Sequence, residues 1–233
     1  MNRRMIAVWP VSLMLGSSSC VSDSAVRIEP EGPITYDGLH RVEQPSLDEA
    51  WAMPDLDLTR YRNVPLEPTE VSCREVKSRS TLHSRTSTQG DFPLSDVAKA
   101  KLQDIVHKAF EQQLSQSSFY GLADRAARDV LLIRAPLIDV VSHVPPQPIG
   151  RSDIYLRSIG EATLVLELRD AVTDEILARA VDRRAADHAD LFIEFSTVTA
   201  WSEVRLVAKG WASLLRQRLD EYVQLGTWNE SSC

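Results

Sequence analysis

The sequence predicts a single α+β domain in which two long helices pack on one face of a mixed sheet of about four strands, in the order β-α-β-β-β-α. Two segments, 95–114 and 200–224, repeat apolar residues at the spacings of three and four that are typical of amphipathic helices. Two others, 129–144 and 162–181, contain continuous or alternating apolar residues, which indicate strands. With 233 residues, the chain has the length of one domain with appendages, or at most two small domains.

The first strand is predicted in the extended segment 60–71, with Val64, Leu66 and Val71 facing inward. The prolines of this segment confine its early part to a strand end or a sheet edge. The first helix is predicted to begin after Ser95, because serine is a good N-cap. Its apolar stripe consists of Val97, Ala98, Leu102, Ile105, Val106, Ala109, Phe110 and Leu114.

The middle of the sheet is predicted from residues 129–144, whose continuous apolar runs suit a strand covered on both faces. Pro136 is expected to break this strand or to mark a bulge. A hairpin follows, with a turn at 170–175 and a returning strand at 176–181. The inward residues of its first strand are Ala162, Leu164, Leu166 and Leu168.

The last element is predicted to be a helix from about Ala200 to Gln224. Thr199 is expected to cap its start and Gly226 to stop it. One side of this helix carries Trp201, Val204, Ala208, Trp211, Leu215 and Tyr222, which are interpreted as core residues.

Composition and charge exclude several classes of protein. Nine glycines and twelve prolines are ordinary numbers and rule out a collagen-like architecture. Lys and Arg together number 26 against 33 Asp and Glu, which gives a formal net charge of −7. A nucleic-acid binder needs a basic face to replace the counterions of the phosphates, so no nucleic-acid partner is expected.

The N-terminus has the three parts of a secretory signal peptide. Arg3 and Arg4 form a basic start, residues 5–15 form an apolar stretch, and the small residues 16–19 lead to Cys20. The apolar stretch is shorter than the about 20 helical residues that cross a bilayer, so a permanent transmembrane anchor is not expected.

Small residues that lead directly to a cysteine resemble the lipobox of bacterial lipoproteins, in which that cysteine is diacylated on sulfur and becomes the first mature residue. The favoured interpretation is lipidation of Cys20 after removal of a signal peptide, residues 1–19. Two alternatives stay open: ordinary cleavage without a lipid, and a buried helix that starts a cytosolic domain. The composition of 20–50 indicates a flexible tether to a domain at 51–226, with a C-terminal tail at 227–233.

The two other cysteines fit an oxidising compartment, in which disulfides persist. Cys73 and Cys233 would close a long loop if they paired. The alternative is that Cys73 is a small buried apolar residue and Cys233 a free thiol in the tail. The sequence does not decide between these two interpretations.

The sequence contains no nucleophile elbow, zinc-protease helix, phosphate loop or dinucleotide fingerprint, and we predict no catalytic, metal or cofactor site. Asp182-Arg183-Arg184 places two guanidinium groups beside a carboxylate at a strand end. Such a group can clamp an anionic ligand or form ion pairs with a neighbouring strand. Asp139 and His143 would form an acid/base pair only if the chain turned back between them.

Four features occur together in this chain: the signal that ends in a cysteine, Tyr36-Asp37-Gly38-Leu39, Asp57-Leu58-Thr59-Arg60-Tyr61, and Arg169 to Leu177 running on to Val181-Asp182-Arg183-Arg184. Together they resemble the bacterial lipoprotein family known as the domain of unknown function 3313 family. The resemblance implies an envelope lipoprotein that faces the periplasm, and it implies no activity. Typical members have Gly in the hairpin turn, where this chain has Asp174. Val21 stands after the cysteine instead of Asp, which by analogy with other lipoproteins implies sorting to the outer membrane.

Two classes of function follow from these observations. The favoured class is a non-catalytic module, held at the membrane by acyl chains on Cys20, that docks a protein partner or an envelope scaffold. The alternative is a periplasmic hydrolase or a small-ligand-binding protein. A cleft that gathers Asp139, His143, Asp182 and Arg183 would favour the alternative.

Overall fold

The computed structural model describes residues 27–29, 31–76, 90–122, 127–144, 155–156, 158–187, 193–194 and 197–230. Its elements are β1 (His40–Arg41), β2 (Glu49–Ala52), β3 (Asn63–Val64), β4 (Val71–Cys73), α1 (Asp96–Leu114), β5 (Gly121–Leu122), β6 (Leu131–Arg134), β7 (Leu137–Ser142), β8 (Tyr155–Leu156), β9 (Ser158–Asp170), β10 (Ile176–Asp187), β11 (Ile193–Glu194) and α2 (Thr197–Glu230). In the described part of the chain, no helix is both long and apolar enough to cross a membrane.

The main sheet has seven strands in the order β1-β2-β10-β9-β7-β4, and β6 also pairs with β9. β4 runs parallel to β7, and the other pairings of this sheet are antiparallel. The predicted α+β class and mixed sheet are therefore confirmed, but the expected count of about four strands is too low. Strands of two to four residues, such as β1, β2 and β4, are too short to show an alternating pattern in the sequence.

The hairpin of β9 and β10 is confirmed and lies at the centre of the sheet. The prediction that residues 129–144 form the middle is wrong, because β6 and β7 both lie on the outer side of β9. Leu164, Leu166 and Leu168 are buried on the face that the helices cover. The predicted strand at 129–144 is two strands, because the chain breaks at Pro136 between β6 and β7. Both β6 and β7 pair with β9, so the break at Pro136 lets the two halves of this apolar segment pair with different stretches of one strand.

The helices begin and end for identifiable reasons. Ser95 caps α1 as predicted, since its side chain accepts a hydrogen bond from the N–H of Ala98. α2 is longer than predicted: it begins at Thr197 and ends at Glu230, so Thr199 lies inside it and Gly226 does not stop it. The side chains that join both helices to the sheet are Leu102, Val106, Phe110 and Leu114 of α1 and Ala208, Trp211, Ala212, Leu215, Leu219 and Val223 of α2.

The described residues 27–29 and 31–50, which the composition assigns to a flexible tether, include β1 and the start of β2, both strands of the main sheet. Leu39 is completely buried, and backbone bridges join Ile28 to Val42 and Ile34 to His40. Gly38 in this segment has a φ of 82°, a backbone conformation that glycine adopts readily in a tight turn. Composition alone does not separate such turns from a linker.

The turn of the β9–β10 hairpin gives a first testable prediction. Asp174 in this turn has a φ of 57°, in the left-handed region that favours glycine. We expect Asp174→Val to lower the free energy of unfolding by about 1 to 2 kcal/mol, because a β-branched residue is strained there. Asp174→Gly should be at least as stable as the natural chain, since the exposed ion pair with Arg169 contributes little. Equal urea midpoints for the two variants would contradict this account.

Candidate functional site

The outer face of the sheet, opposite the helices, carries a cluster of charged side chains around Arg74. The Arg74 guanidinium donates to both oxygens of Asp139, at 2.8 and 2.5 Å, and to Asp91 at 3.1 Å. It also lies 2.6 Å from Glu161, which pairs with Arg183 at 2.6 Å. Asp139 has a φ of 53° and lies where the register of β7 and β9 shifts. We call this group the Arg74 cluster.

The electrostatics of the Arg74 cluster favour a fixed ion network over acid/base chemistry. The hydrogen bonds from Arg74 hold the pKa of Asp139 below its usual range, which makes this carboxylate a weak base. Burial raises the pKa of Glu161, but hydrogen bonds from Arg183 and Arg74 outweigh burial and lower it. The sequence-based pairing of Asp139 with His143 is indirect in the structure. The imidazole Nε2 lies 3.6 Å from Asp91, which Arg74 joins to Asp139.

The three residues of the predicted anion clamp do not converge on one point. Asp182 is 5% exposed and lies under α2, where it accepts hydrogen bonds from Trp211 at 2.6 Å and Arg184 at 2.7 Å. Arg183 points to the other face of β10, because successive strand residues alternate, and it pairs with Glu161. Both guanidinium groups already contact carboxylates. The ion-pair interpretation therefore describes the positions of Asp182, Arg183 and Arg184.

Two of the motifs that carry the family resemblance meet in a buried hydrogen-bonded tie. The hydroxyl of Tyr61, which is 1% exposed, donates to Asp170 at 2.9 Å. Asp170 also accepts from the N–H groups of Val172 and Thr173, at 2.9 and 3.0 Å. The same carboxylate lies 3.4 Å from Arg60. These motif residues thus fasten the segment before β3 to the β9–β10 turn, which is a structural role.

The motif Tyr36-Asp37-Gly38-Leu39 forms a braced turn whose tyrosine points into solvent. Tyr36 is 95% exposed, and Ile34 beside it is 60% exposed. Asp37 accepts hydrogen bonds from Thr35 at 2.5 Å and from Arg179 of β10 at 2.6 Å. These contacts and the Arg179 pair lower the pKa of Asp37 although burial opposes them. A fixed turn with an exposed aromatic side chain is suited to contact a partner.

Two cavities lie between the helices and the sheet. The first, of about 580 Å³, is enclosed by α2, β2, β10 and the segment 42–47. The second, of about 730 Å³, lies between the N-terminal halves of α1 and α2 over β7 and β9. Both have mainly apolar walls and fall in the size range of small-molecule sites, about 300 to 1,000 Å³.

Other sequence-based hypotheses are tested only in part. No group of three or more metal-binding side chains occurs among the residues that the structure describes. Cys73 is half-buried on β4, and Cys233 lies outside the described residues, so their pairing stays a prediction. Cys20 also lies outside the described residues, and its lipidation stays a prediction.

The comparison with protein families agrees with the resemblance seen in the sequence. The model described as "Protein of unknown function (DUF3313)" matches residues 32–215. The chain belongs to this family. The match begins within residues 27–50, where the structure also finds the first paired residues of the DUF3313 domain. No curated protein matches the sequence.

Several solved structures are similar to this DUF3313 chain at a distance. A PelC dodecamer from Paraburkholderia phytofirmans is 11% identical with a TM-score of 0.36, over 73% of this chain and 94% of that one. A Xanthomonas campestris protein of the DUF330 family is 10% identical with a TM-score of 0.38, over 72% and 89% of the two chains. A putative neuraminyllactose-binding hemagglutinin homolog from Helicobacter pylori is 7% identical with a TM-score of 0.38, over 70% and 91%.

Proposed function

We propose that this DUF3313 chain is a non-catalytic module of the bacterial cell envelope that docks a protein partner or an envelope scaffold. Acyl chains on Cys20 hold it at the membrane, with the folded domain facing the periplasm and the outer membrane favoured over the inner. The observation that carries the docking role is the turn at 34–38, which exposes Tyr36 while Asp37 and Arg179 fix its backbone.

The chemistry of the described side chains supports docking over catalysis. Asp139 is the carboxylate that sequence reasoning considered for acid/base work, and Arg74 binds both of its oxygens. Asp182 is enclosed under α2 and supports the packing of Trp211. Neither carboxylate is placed to activate a nucleophile or a water molecule in a cleft.

The Tyr36 turn supports docking because its braced backbone loses little conformational entropy on binding, and a tyrosine side chain has only two rotatable χ angles to order. Tyrosine is among the residues that contribute most binding energy in protein interfaces. The ion pair between Asp37 and Arg179 holds the turn against β10, so Tyr36 is presented from a rigid sheet.

Crosslinking of the natural chain in whole cells, followed by recovery from detergent extracts, tests this proposal. We expect Tyr36→Ala to reduce the recovery of the crosslinked partner by about thirtyfold, since an interface hot spot contributes about 2 kcal/mol or more. Leu206→Ala is a matched control, because Leu206 is an exposed apolar residue on α2, 62% exposed. This variant should recover the partner normally.

Two results would contradict the proposal. Recovery of the chain alone in every crosslinking experiment would remove the docking role. Equal partner recovery by Tyr36→Ala and Leu206→Ala would remove the Tyr36 turn as the contact. The anchor is tested separately by Cys20→Ser, which should move the chain from the membrane fraction to the soluble periplasmic fraction.

A further inference from the structure

The first cavity exists because small side chains form its floor. Ala50 and Ala52 of β2 lie opposite Ala180 and Ala178 of β10, all under α2. The alanine side chains are too short to fill this space, which Leu164, Leu166 and Leu168 of β9 also line. The space amounts to about 580 Å³, and Trp211 of α2 is among the residues that line it.

Two of the charged side chains that line the first cavity, Arg218 and Glu221, form an ion pair. Arg218 donates to Glu221 at 2.8 Å and also bonds the hydroxyl of Ser46. A ligand in the cavity therefore meets mainly apolar walls, and Arg218 at the lining is already paired with Glu221. An uncharged, apolar group of a ligand fits such a space, because a charged group would lose its hydration there without gaining a partner.

The N-terminal end of the described chain lies at the opening of the first cavity. The N–H of Glu43 donates to the carbonyl of Arg27 at 2.7 Å, and both residues line the cavity. The N–H of Glu29 donates to the carbonyl of Arg41 at 2.9 Å, so 27–29 runs antiparallel to 41–43. Arg27, the first residue that the structure describes, therefore lies at the opening. Cys20, whose sulfur would carry the lipid, lies seven positions before Arg27. A fully extended chain of that length spans at most about 24 Å.

We propose that the first cavity binds one acyl chain of the lipid carried by the protein's own Cys20. This inference rests on the proposed lipid anchor. A diacylated sulfur carries two chains, so one chain in the cavity leaves one for the bilayer. A single acyl chain binds a membrane only marginally and reversibly, so occupation of the cavity weakens attachment and its release strengthens it.

The test measures uptake of dansyl-undecanoic acid by the purified full chain, with energy transfer from the tryptophans as the signal. Cys20→Ser, which carries no lipid, should bind one probe molecule, because its cavity is vacant. The natural acylated chain should bind the probe at least about tenfold more weakly, because its own acyl chain competes from a tethered position. Mass spectrometry of the natural chain reports whether Cys20 is acylated.

Cavity-filling variants locate the binding site in the Cys20→Ser background. Ala180→Leu fills the first cavity and should reduce probe affinity by about tenfold or more. Ala162→Leu is the matched control, because Ala162 is a half-buried alanine on the adjacent strand that lines the second cavity, and it should leave affinity unchanged. If Ala180→Leu does not fold, Ala50→Leu fills the same space from the opposite strand.

The outcomes separate the two proposals. Absence of probe uptake by Cys20→Ser, or equal loss with Ala162→Leu and Ala180→Leu, would overturn the acyl site. Equal uptake by an acylated natural chain and by Cys20→Ser would overturn the protein's own lipid as the occupant and indicate a separate lipid. An unmodified Cys20 in the mass spectrum would overturn the proposed anchor and, with it, the occupant, whereas Tyr36-dependent docking would be unaffected.

Discussion

Replacement of Asp182 by alanine is expected to lower the free energy of unfolding by about 3 kcal/mol. The carboxylate is 5% exposed, and one of its oxygens accepts from both Trp211 and Arg184, at 2.6 and 2.7 Å. The other oxygen accepts from the N–H of Asp48 at 3.2 Å. Alanine would leave the indole N–H buried without an acceptor and detach α2 from β10. Urea unfolding followed by circular dichroism measures the loss.

Conservative variants separate the hydrogen bonds from side-chain volume. Asp182→Asn keeps one acceptor oxygen and should lose about 1 to 2 kcal/mol. Trp211→Phe keeps a buried ring and removes the N–H donor, with a similar expected loss. Asp182 and Trp211 share one hydrogen bond. The double variant Asp182→Asn/Trp211→Phe should therefore lose less unfolding free energy than the sum of the two single variants. Strictly additive losses would contradict a direct Trp211–Asp182 contribution.

The β9–β10 hairpin shows which parts of this fold the sequence determines locally. Every second residue of β9 from Ala162 to Leu168 is apolar and packs in the core, and this period of two fixes both the strand and its buried face. In β10, the alternation of strand residues places Asp182 on the buried face. Its partner Trp211 lies on another element, however, so sequence spacing indicates the charged group without revealing its role.

The Arg74 cluster shows what local patterns do not reveal. Arg74 and Asp139 are joined because β4 pairs with β7 in parallel, and β4 is only three residues long. A strand of that length has no readable period, and an arginine after it looks like an ordinary exposed residue. The cavities are equally hidden, because they depend on which alanines of β2 and β10 meet under α2.

Replacement of Asp170 by alanine is expected to lower the free energy of unfolding by about 3 kcal/mol. The carboxylate is 9% exposed and accepts from the Tyr61 hydroxyl and from the N–H groups of Val172 and Thr173. Its loss would free the hairpin turn and leave the Tyr61 hydroxyl buried without its acceptor. Tyr61→Phe removes only the hydroxyl and should lose about 1 kcal/mol. Thermal and urea unfolding of both variants measure these differences.

The effect of Asp170 should also depend on pH. Burial raises its pKa, but the hydrogen bonds from Thr173, Val172 and Tyr61 outweigh burial, so the pKa lies below the ordinary value of 3.8. A carboxylate whose pKa is lower in the folded state than in the unfolded state stabilises the fold fully at pH values above the unfolded-state pKa. This stabilisation is lost as the pH falls through the folded-state pKa. The stability difference between the natural chain and Asp170→Asn should therefore be constant above about pH 5 and shrink towards pH 3. Other ionised carboxylates are common to both chains and cancel in this difference. A difference that stays constant down to pH 3 would contradict the tie between Asp170 and the hairpin turn.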